Sequence, residues 1–254
     1  MAASPQLNPE QEEARAAFEQ LLDDTVEADR IYDDLPESRG GRIVSTDIAR
    51  FLDERYRDVP KGQPRDLLPG WECAWRYSHG RLQRELKRGG EGKIVRFMAG
   101  GWAAGKTHAL EHEPTPELAW DGTLDQPAWA ARMIDLALHC KWRVDVAYVF
   151  RDIEMALYGS LERAKTEGRG VPLADLAANH RRVQSSILKL MDKYHANNSV
   201  SFTLVHNLGA RGLVGKSLPV SYVELAPEGP LHYSKQYEHY YGKAALEIEG
   251  LNPT

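Results

Sequence analysis

Cysteine is scarce in this chain: Cys73 and Cys140 are the only two in 254 residues. Their separation matches no metal-ligand spacing, and two thiols do not make a disulfide framework. No stretch approaches the roughly 18 consecutive apolar residues of a membrane span, so a membrane partner is not expected. The opening residues, MAASPQLNPEQEEARAAF, lack a basic region followed by an apolar run. A Sec-type signal is therefore not expected, and a cytoplasmic location is. Charge of one sign is not in large excess. A net charge of −5 gives no general reason to expect nucleic acid or an anionic surface as partner. Internal repeats and low-complexity segments are absent too. What remains is a chain with 42% apolar and 27% charged residues, ordinary for a globular protein.

The organisation is legible in the apolar spacing. Asn8, Pro9 and Gln11 mark a helix start with a capping box, and Ala14, Phe18, Leu21 and Leu22 make its apolar stripe. RIVSTD at 42–47 reads as a short strand and IARFLDERY as a helix after it. A Pro/Gly loop at 60–70 precedes a helix over 71–88. Strands and helices then alternate: KIVRFMA, the segment after Lys106, ELAWDG, QPAWAARMIDLALHCK, RVDVAYVF, DIEMALYGSLERAKTEG, LADLAANHRRVQSSILKLMDKY and VSFTLVHN. That alternation predicts an α/β protein, three-layered, with a mostly parallel sheet. We expect a helical N-terminal segment at 1–40, a core at 41–209 and a C-terminal appendage at 210–254. The appendage includes the aromatic stretch HYSKQYEHYY, read as core or oligomer contact.

Between a strand and a helix stands GGWAAGKT, residues 100–107. Gly100, Gly105, Lys106 and Thr107 satisfy the phosphate-loop pattern G-x-x-x-x-G-K-[ST]. Glycines let backbone N–H groups curl around phosphate oxygens, and the helix start adds a favourable dipole. Gly100, Gly101, Trp102, Ala103, Ala104, Gly105, Lys106, Thr107 and His108 are thus candidate ATP-binding residues. Lys106 reaches the β- and γ-phosphates in such a loop, and the Thr107 hydroxyl ligates Mg²⁺. For Trp102 and His108 packing is the plainer reading, and for His180 a surface or packing position.

A GTPase or motor needs more: no NKxD-like base reader is present, and no apolar run ends in paired acidic residues. The stretch SLERAKTEGRGVP follows a core strand instead. It places Arg163 near a helix end and Arg169 in a Gly-flanked loop, where small-molecule kinases carry lid arginines that neutralise the transferring phosphoryl group.

Taken in order, GGWAAGKT, WDGTLD, VDVAYVF, YGSLERAKTEGRGVP and LAANH resemble the zeta-toxin family of P-loop kinases over residues 94–206. The resemblance implies a P-loop kinase fold and transfer from ATP, with Mg²⁺, to a sugar hydroxyl of a UDP-amino sugar such as UDP-N-acetylglucosamine. It also implies a toxin held inactive by an antitoxin protein. Carried over, Lys106 and Thr107 match the P-loop pair, Asp121, Gly122 and Thr123 the family's Glu-Gly-Thr, and Arg163 and Arg169 the lid arginines. Asp121 and Thr123 are then substrate-side candidates. Asp125 stands where the family has a substrate-contacting arginine, a reversal of charge.

The family's catalytic aspartate follows the P-loop, on its second strand. Here only HALEHEPTPELAW separates Thr107 from Asp121, too short for another strand and helix. RIVSTDIAR, ahead of the P-loop, resembles the family's strand–Asp–x–x–Arg segment. Asp47 is then the expected base, with Arg50 as its substrate-side neighbour. The alternatives are that Asp47 caps the helix after it, and that Asp121 is the base or a Mg²⁺-shell carboxylate. The expected activity is ATP-dependent phosphorylation of an alcohol group on a nucleotide sugar or related metabolite. A dinucleotide or other nucleotide metabolite as acceptor, or a nucleotide-binding regulatory module without catalysis, are the competing readings.

Overall fold

Among the described residues six strands form one sheet in the order β1-β3-β2-β4-β5-β6 in the computed structural model of the chain. The strands are β1 (Ile43–Val44), β2 (Ile94–Ala99), β3 (Leu118–Asp121), β4 (Arg143–Arg151), β5 (Val200–Asn207) and β6 (Ser217–Pro219). The first five are mutually parallel and β6 runs antiparallel to β5. The structure describes residues 7–60, 63, 69–112, 116–151, 153–167, 171, 173–207 and 217–219. The expected appendage at 210–254, apart from β6, lies outside them.

Helices cover both faces, the three-layer α/β arrangement of P-loop kinases. They are α1 (Pro9–Asp23), α2 (Thr25–Asp34), α3 (Thr46–Ala49), α4 (Glu54–Arg57), α5 (Trp71–Lys87), α6 (Lys106–His112), α7 (Pro127–His139), α8 (Ile153–Glu167) and α9 (Leu173–Tyr194). Alternate strand residues sort the core in two, as the period of 2 requires. Val44, Val95, Phe97, Trp120, Val144 and Val146 face Leu82 and Leu86 of α5, Ile134 of α7, and Val183, Ile187 and Leu190 of α9. Met98, Ala119, Ala147, Val149 and Val205 face Phe18 of α1, Tyr32 of α2, Ile48 of α3 and Leu110 of α6. Each large side chain buried this way contributes roughly 1.5–3 kcal/mol. Near-continuous apolar character in β4 follows from cover on both faces.

The N-terminal helices pack into this same core. Asn8 and Gln11 make the reciprocal capping box, each side chain accepting the other's backbone N–H at 2.9 Å. The Tyr32 hydroxyl donates to Ile43 O at 2.9 Å and accepts from Ser45 N at 3.0 Å, so α2 grips both ends of β1. Beneath it the buried Arg81 guanidinium lies 3.0 Å from Asp29, 2.9 Å from Asp33 and 2.9 Å from Glu85. Removing one partner from such a buried set costs about 3–5 kcal/mol.

Two local readings differ from the structure. The strand expected at 42–47 is only Ile43–Val44, because the Ser45 side chain accepts the Asp47 N–H at 3.2 Å and starts α3. The helix expected over 48–56 is broken into α3, a 3₁₀ turn at Arg50–Leu52, and α4. Asp53 takes extended backbone angles there, and its carboxylate accepts the Arg55 N–H at 3.0 Å. Short polar side chains that bind neighbouring backbone in this way end helices and begin them.

Candidate functional site

The C-terminal ends of β1, β3, β2, β4 and β5 gather the candidate residues at one edge of the sheet, where open α/β sheets bind ligands. The loop 100–105 leaves β2, and α6 starts at Lys106, as the strand–loop–helix pattern requires. Two of its glycines are dictated by close approach. A Cβ on Gly101 would collide with the His180 imidazole, and one on Gly105 (φ +90°) with the Asn207 amide. Ala103 holds a positive φ of 58° without being glycine, and the surroundings compensate that strain.

The compensation comes from other elements. Asn179 Oδ1 accepts the Trp102 N–H at 3.0 Å, and His180 Nε2 lies 2.7 Å from Trp102 O. Arg151 Nη1 donates to Ala103 O at 3.0 Å, and Asn207 Nδ2 donates to Ala104 O at 2.8 Å. Gly100 N donates to Thr123 O at 3.3 Å. Ends of β4 and β5 and one turn of α9 thus hold the loop in shape. His180 is buried at 4% exposure, so its role is to clamp the loop rather than to sit on the surface. The Trp102 side chain packs against the cluster of Ile153 and Leu176, in line with the packing reading. His108 is half-buried on the first turn of α6.

Lys106 Nζ donates to Gly100 O at 3.0 Å and to Gly101 O at 3.1 Å. Burial pushes its ammonium below the ordinary lysine range, while Asp121 and Asp47 pull the other way and Arg163 adds to the depression. Thr107 Oγ1 donates to Asp121 Oδ2 at 2.8 Å. Burial raises the Asp121 carboxyl above the usual range, opposed by Lys106 and the Thr107 hydroxyl. Asp47 acts on both groups electrostatically, so the structure brings Lys106, Asp121, Asp47 and Arg163 into one field. Arg169 lies outside the described residues.

Asp47 sits in the first turn of α3 and does not cap it; Ser45 does. Its side chain is half exposed and pairs with the buried Arg50 at 3.2 Å. Arg50 in turn lies over the Trp71 ring at 4.6 Å. Thr123 turns its hydroxyl to Asp125 Oδ1 at 3.0 Å. Asp125 also accepts from Asn179 at 3.1 Å and faces Arg182 at 3.4 Å, so the reversed charge is tied to α9.

The donor set fits a nucleoside triphosphate with Mg²⁺. The glycines could cradle phosphates, Lys106 is a cation beside them, and Thr107 and Asp121 offer two oxygens that could hold the ion. Mg²⁺ is held by one or two protein oxygens plus phosphates and water, so it does not need a cage. No group of three or more His, Cys, Asp or Glu stands together as a metal cage among the described residues. A cavity of about 300 Å³ lined by Arg42, Arg81, Glu85 and Trp142 opens at the opposite, N-terminal end of the strands and is remote from this chemistry. Among the described residues no helix is long and apolar enough to cross a membrane.

Sequence reasoning missed Arg151, Asn179 and Asn207. A charged residue closing the apolar β4 was the available signal for Arg151; Asn179 lay within the LAANH motif but without an assigned role, and Asn207 gave no signal, because each acts only through the tertiary approach of its element to the loop.

Comparison with known proteins agrees with the sequence motifs from WDGTLD onward. The zeta toxin family model matches residues 117–206, which take in β3, α7, β4, α8, α9 and most of β5, with Asp121, Thr123 and Arg163. The loop 100–107 and Asp47 precede the matched segment. No curated protein matches the chain.

Proposed function

We propose, starting from the match of residues 117–206 to the zeta toxin family model, that the chain is an ATP-dependent kinase acting on a hydroxyl of a small metabolite. The family supports a P-loop-kinase-like, nucleotide-binding function. The observation that carries the finer reading is the convergence of Lys106, the Thr107–Asp121 pair and Asp47 at one sheet edge. ATP with Mg²⁺, when bound, supplies the phosphoryl group. Lys106 and the loop N–H groups hold phosphate oxygens, and Thr107 with Asp121 holds the ion. Asp47, half exposed and oriented by Arg50, accepts the proton of the acceptor hydroxyl as its oxygen forms the new O–P bond and ADP leaves. Arg163 neutralises charge on the transferring group, the role that the resemblance also gives Arg169. A nucleotide sugar is the acceptor that the resemblance implies, and a toxin restrained by an antitoxin its biological role.

The test is incubation of the full chain with labelled ATP and a metabolite extract, resolved by mass spectrometry. One labelled product should appear, absent with Lys106→Ala. No label transfer by a chain that binds ATP would favour the second reading, a nucleotide-binding regulatory module. The observation behind that reading is Asp125, a carboxylate held by Asn179 and Arg182 where the family carries a substrate-contacting arginine.

A further inference from the structure

The strands that end at the candidate site begin around the cavity of about 300 Å³ at the opposite edge of the sheet. Arg42 directly precedes β1, Glu117 directly precedes β3 and Lys93 directly precedes β2, and all three line it. The strand order β1-β3-β2 sets Arg42 and Lys93 on either side of β3. Two strand spacings separate them, roughly 10 Å, a gap that two long side chains can close around one small molecule. Alternation puts both on one face: Val44 and Val95, two residues on from each, pack toward Leu82 and Leu86 of α5. On that face α5 supplies the facing wall, with Arg81, Glu85 and Arg88.

The carboxylates of this wall are already engaged. Asp33 and Glu85 meet the buried Arg81, and Glu85 also meets Arg88 at 2.8 Å. Glu117 accepts the Ile94 N–H at 3.1 Å. The cations at the strand starts are not engaged in this way. Arg42 Nε donates to Arg39 O at 3.2 Å, and among the described residues no carboxylate pairs with Arg42 or Lys93. Arg42, Arg81, Arg88 and Lys93 stand against Asp33, Glu85 and Glu117, so the lining keeps a positive charge in surplus. The Arg84–Asp29 pair behind it, 2.6 Å apart, leaves that surplus unchanged. Surplus charge of one sign in a walled cleft concentrates counter-ions of the other.

The cavity is a built one. Its rim is the turn at 38–41, pinned by the buried Ser38, whose hydroxyl donates to Asp33 O at 3.3 Å and accepts the Gly41 N–H at 3.1 Å. Gly41 (φ +77°) passes so close to the wall that a Cβ would collide with the Asp33 carboxylate and the Arg81 guanidinium. Arg39 holds a φ of 52° without being glycine, strain that persists only where the surroundings fix it. Trp142 closes the apolar side and is itself fixed, its Nε1 donating to Leu86 O at 2.9 Å. The volume is at the low end for small-molecule sites, which suits a small metabolite.

We propose that this cavity is a second ligand site, for a small metabolite bearing a phosphate or carboxylate group, with Arg42 and Lys93 as its anion-binding pair. The planar Arg42 fork takes two anion oxygens, and the Lys93 ammonium reaches the group from the far side of β3. Hydroxyl or amine groups of the ligand donate to the carboxylates of Asp33 and Glu117. An anion held this way bridges the starts of β1 and β2 across β3, and so steadies β1, which has only two register pairs of its own. The inference goes beyond the kinase reading and does not depend on it.

The test is calorimetric titration of the full chain with inorganic phosphate, pyrophosphate and citrate at constant ionic strength. Phosphate and pyrophosphate read the phosphate source of the anionic group, and citrate the carboxylate source. At least one probe should bind with a Kd of about 1 mM or tighter. Arg42→Gln and Lys93→Gln should each weaken that binding about tenfold or more. Both side chains are exposed, so the melting temperature of each variant without ligand should match the parent's, which reports an intact fold. The phosphate loop is the competing site for the same probes. The binding lost with Arg42→Gln and Lys93→Gln should therefore persist in Lys106→Ala. Binding by none of the probes, parental affinity in either strand-start variant, or loss of the same binding in Lys106→Ala overturns the proposal.

Discussion

Thr107 Oγ1 donates to Asp121 Oδ2 across 2.8 Å, joining the first turn of α6 to the end of the neighbouring strand β3. A hydroxyl and a carboxylate so placed are the oxygen pair that a phosphate-bound Mg²⁺ uses. Thr107→Val removes one ligand and keeps the side-chain shape. Turnover should fall by at least about tenfold, and the Mg²⁺ concentration for half-maximal rate should rise. An unchanged Mg²⁺ titration would show that the pair is only a structural hydrogen bond.

Asp121→Asn tests the cost of the same carboxylate. Its pKa in the fold is raised, chiefly by burial, so the ionised form is disfavoured relative to the unfolded chain. The sign follows: the cost is absent below the ordinary carboxylate pKa and complete above the raised one. The variant should melt higher than the parent at neutral pH while losing phosphoryl transfer, and the gain in melting temperature should vanish near pH 3. A gain that persists in acid would assign the effect to something other than ionisation.

Asp47→Asn should bind ATP as the parent does and lose transfer to the acceptor by a factor on the order of 10² or more, since the amide cannot take a proton. Arg50 keeps a partner in this variant, so the fold is spared. Parallel measurement of nucleotide affinity and of labelled product separates the two roles. Normal transfer by the variant would move the base to Asp121.

Gly101→Ala should drive its methyl into the His180 ring. Overpacking of this kind costs about 1–3 kcal/mol, and here it also displaces the Trp102 carbonyl that His180 meets. Melting temperature and nucleotide affinity should both drop. Adding His180→Ala should restore part of the affinity, because it removes the collision while Asn179 still holds Trp102 N. A double variant no better than the single one would place the defect in the loop backbone alone.

The sequence carried most of this architecture wherever local chemistry and tertiary demand agree. Asn8 and Gln11 announce α1 because a capping box is settled within four residues. Lys106 and Thr107 announce the phosphate loop because their spacing is the chemistry. The break between α3 and α4 was not legible, since Asp53 reads equally well as a polar position on a helix and is decided by its capture of the Arg55 N–H. His180 reads as an ordinary polar helix position. Its burial against the loop depends on how α9 lies across the sheet, information that no window of sequence holds. Asp47 could be proposed from its motif, but its shared field with Lys106 and Asp121 arises only once β1 pairs with β3.

Edge strand β1 meets the sheet through just two register pairs, Ile43 with Ala119 and Val44 with Trp120, and is steadied by the Tyr32 hydroxyl. On the proposed reading the loop and lysine that address the phosphates come from residues 100–107, whereas the proposed base Asp47 and its partner Arg50 come from a stretch about fifty residues earlier. Loosening β1 should then slow transfer to the acceptor while nucleotide affinity holds, because the two halves of the site meet only through that short seam.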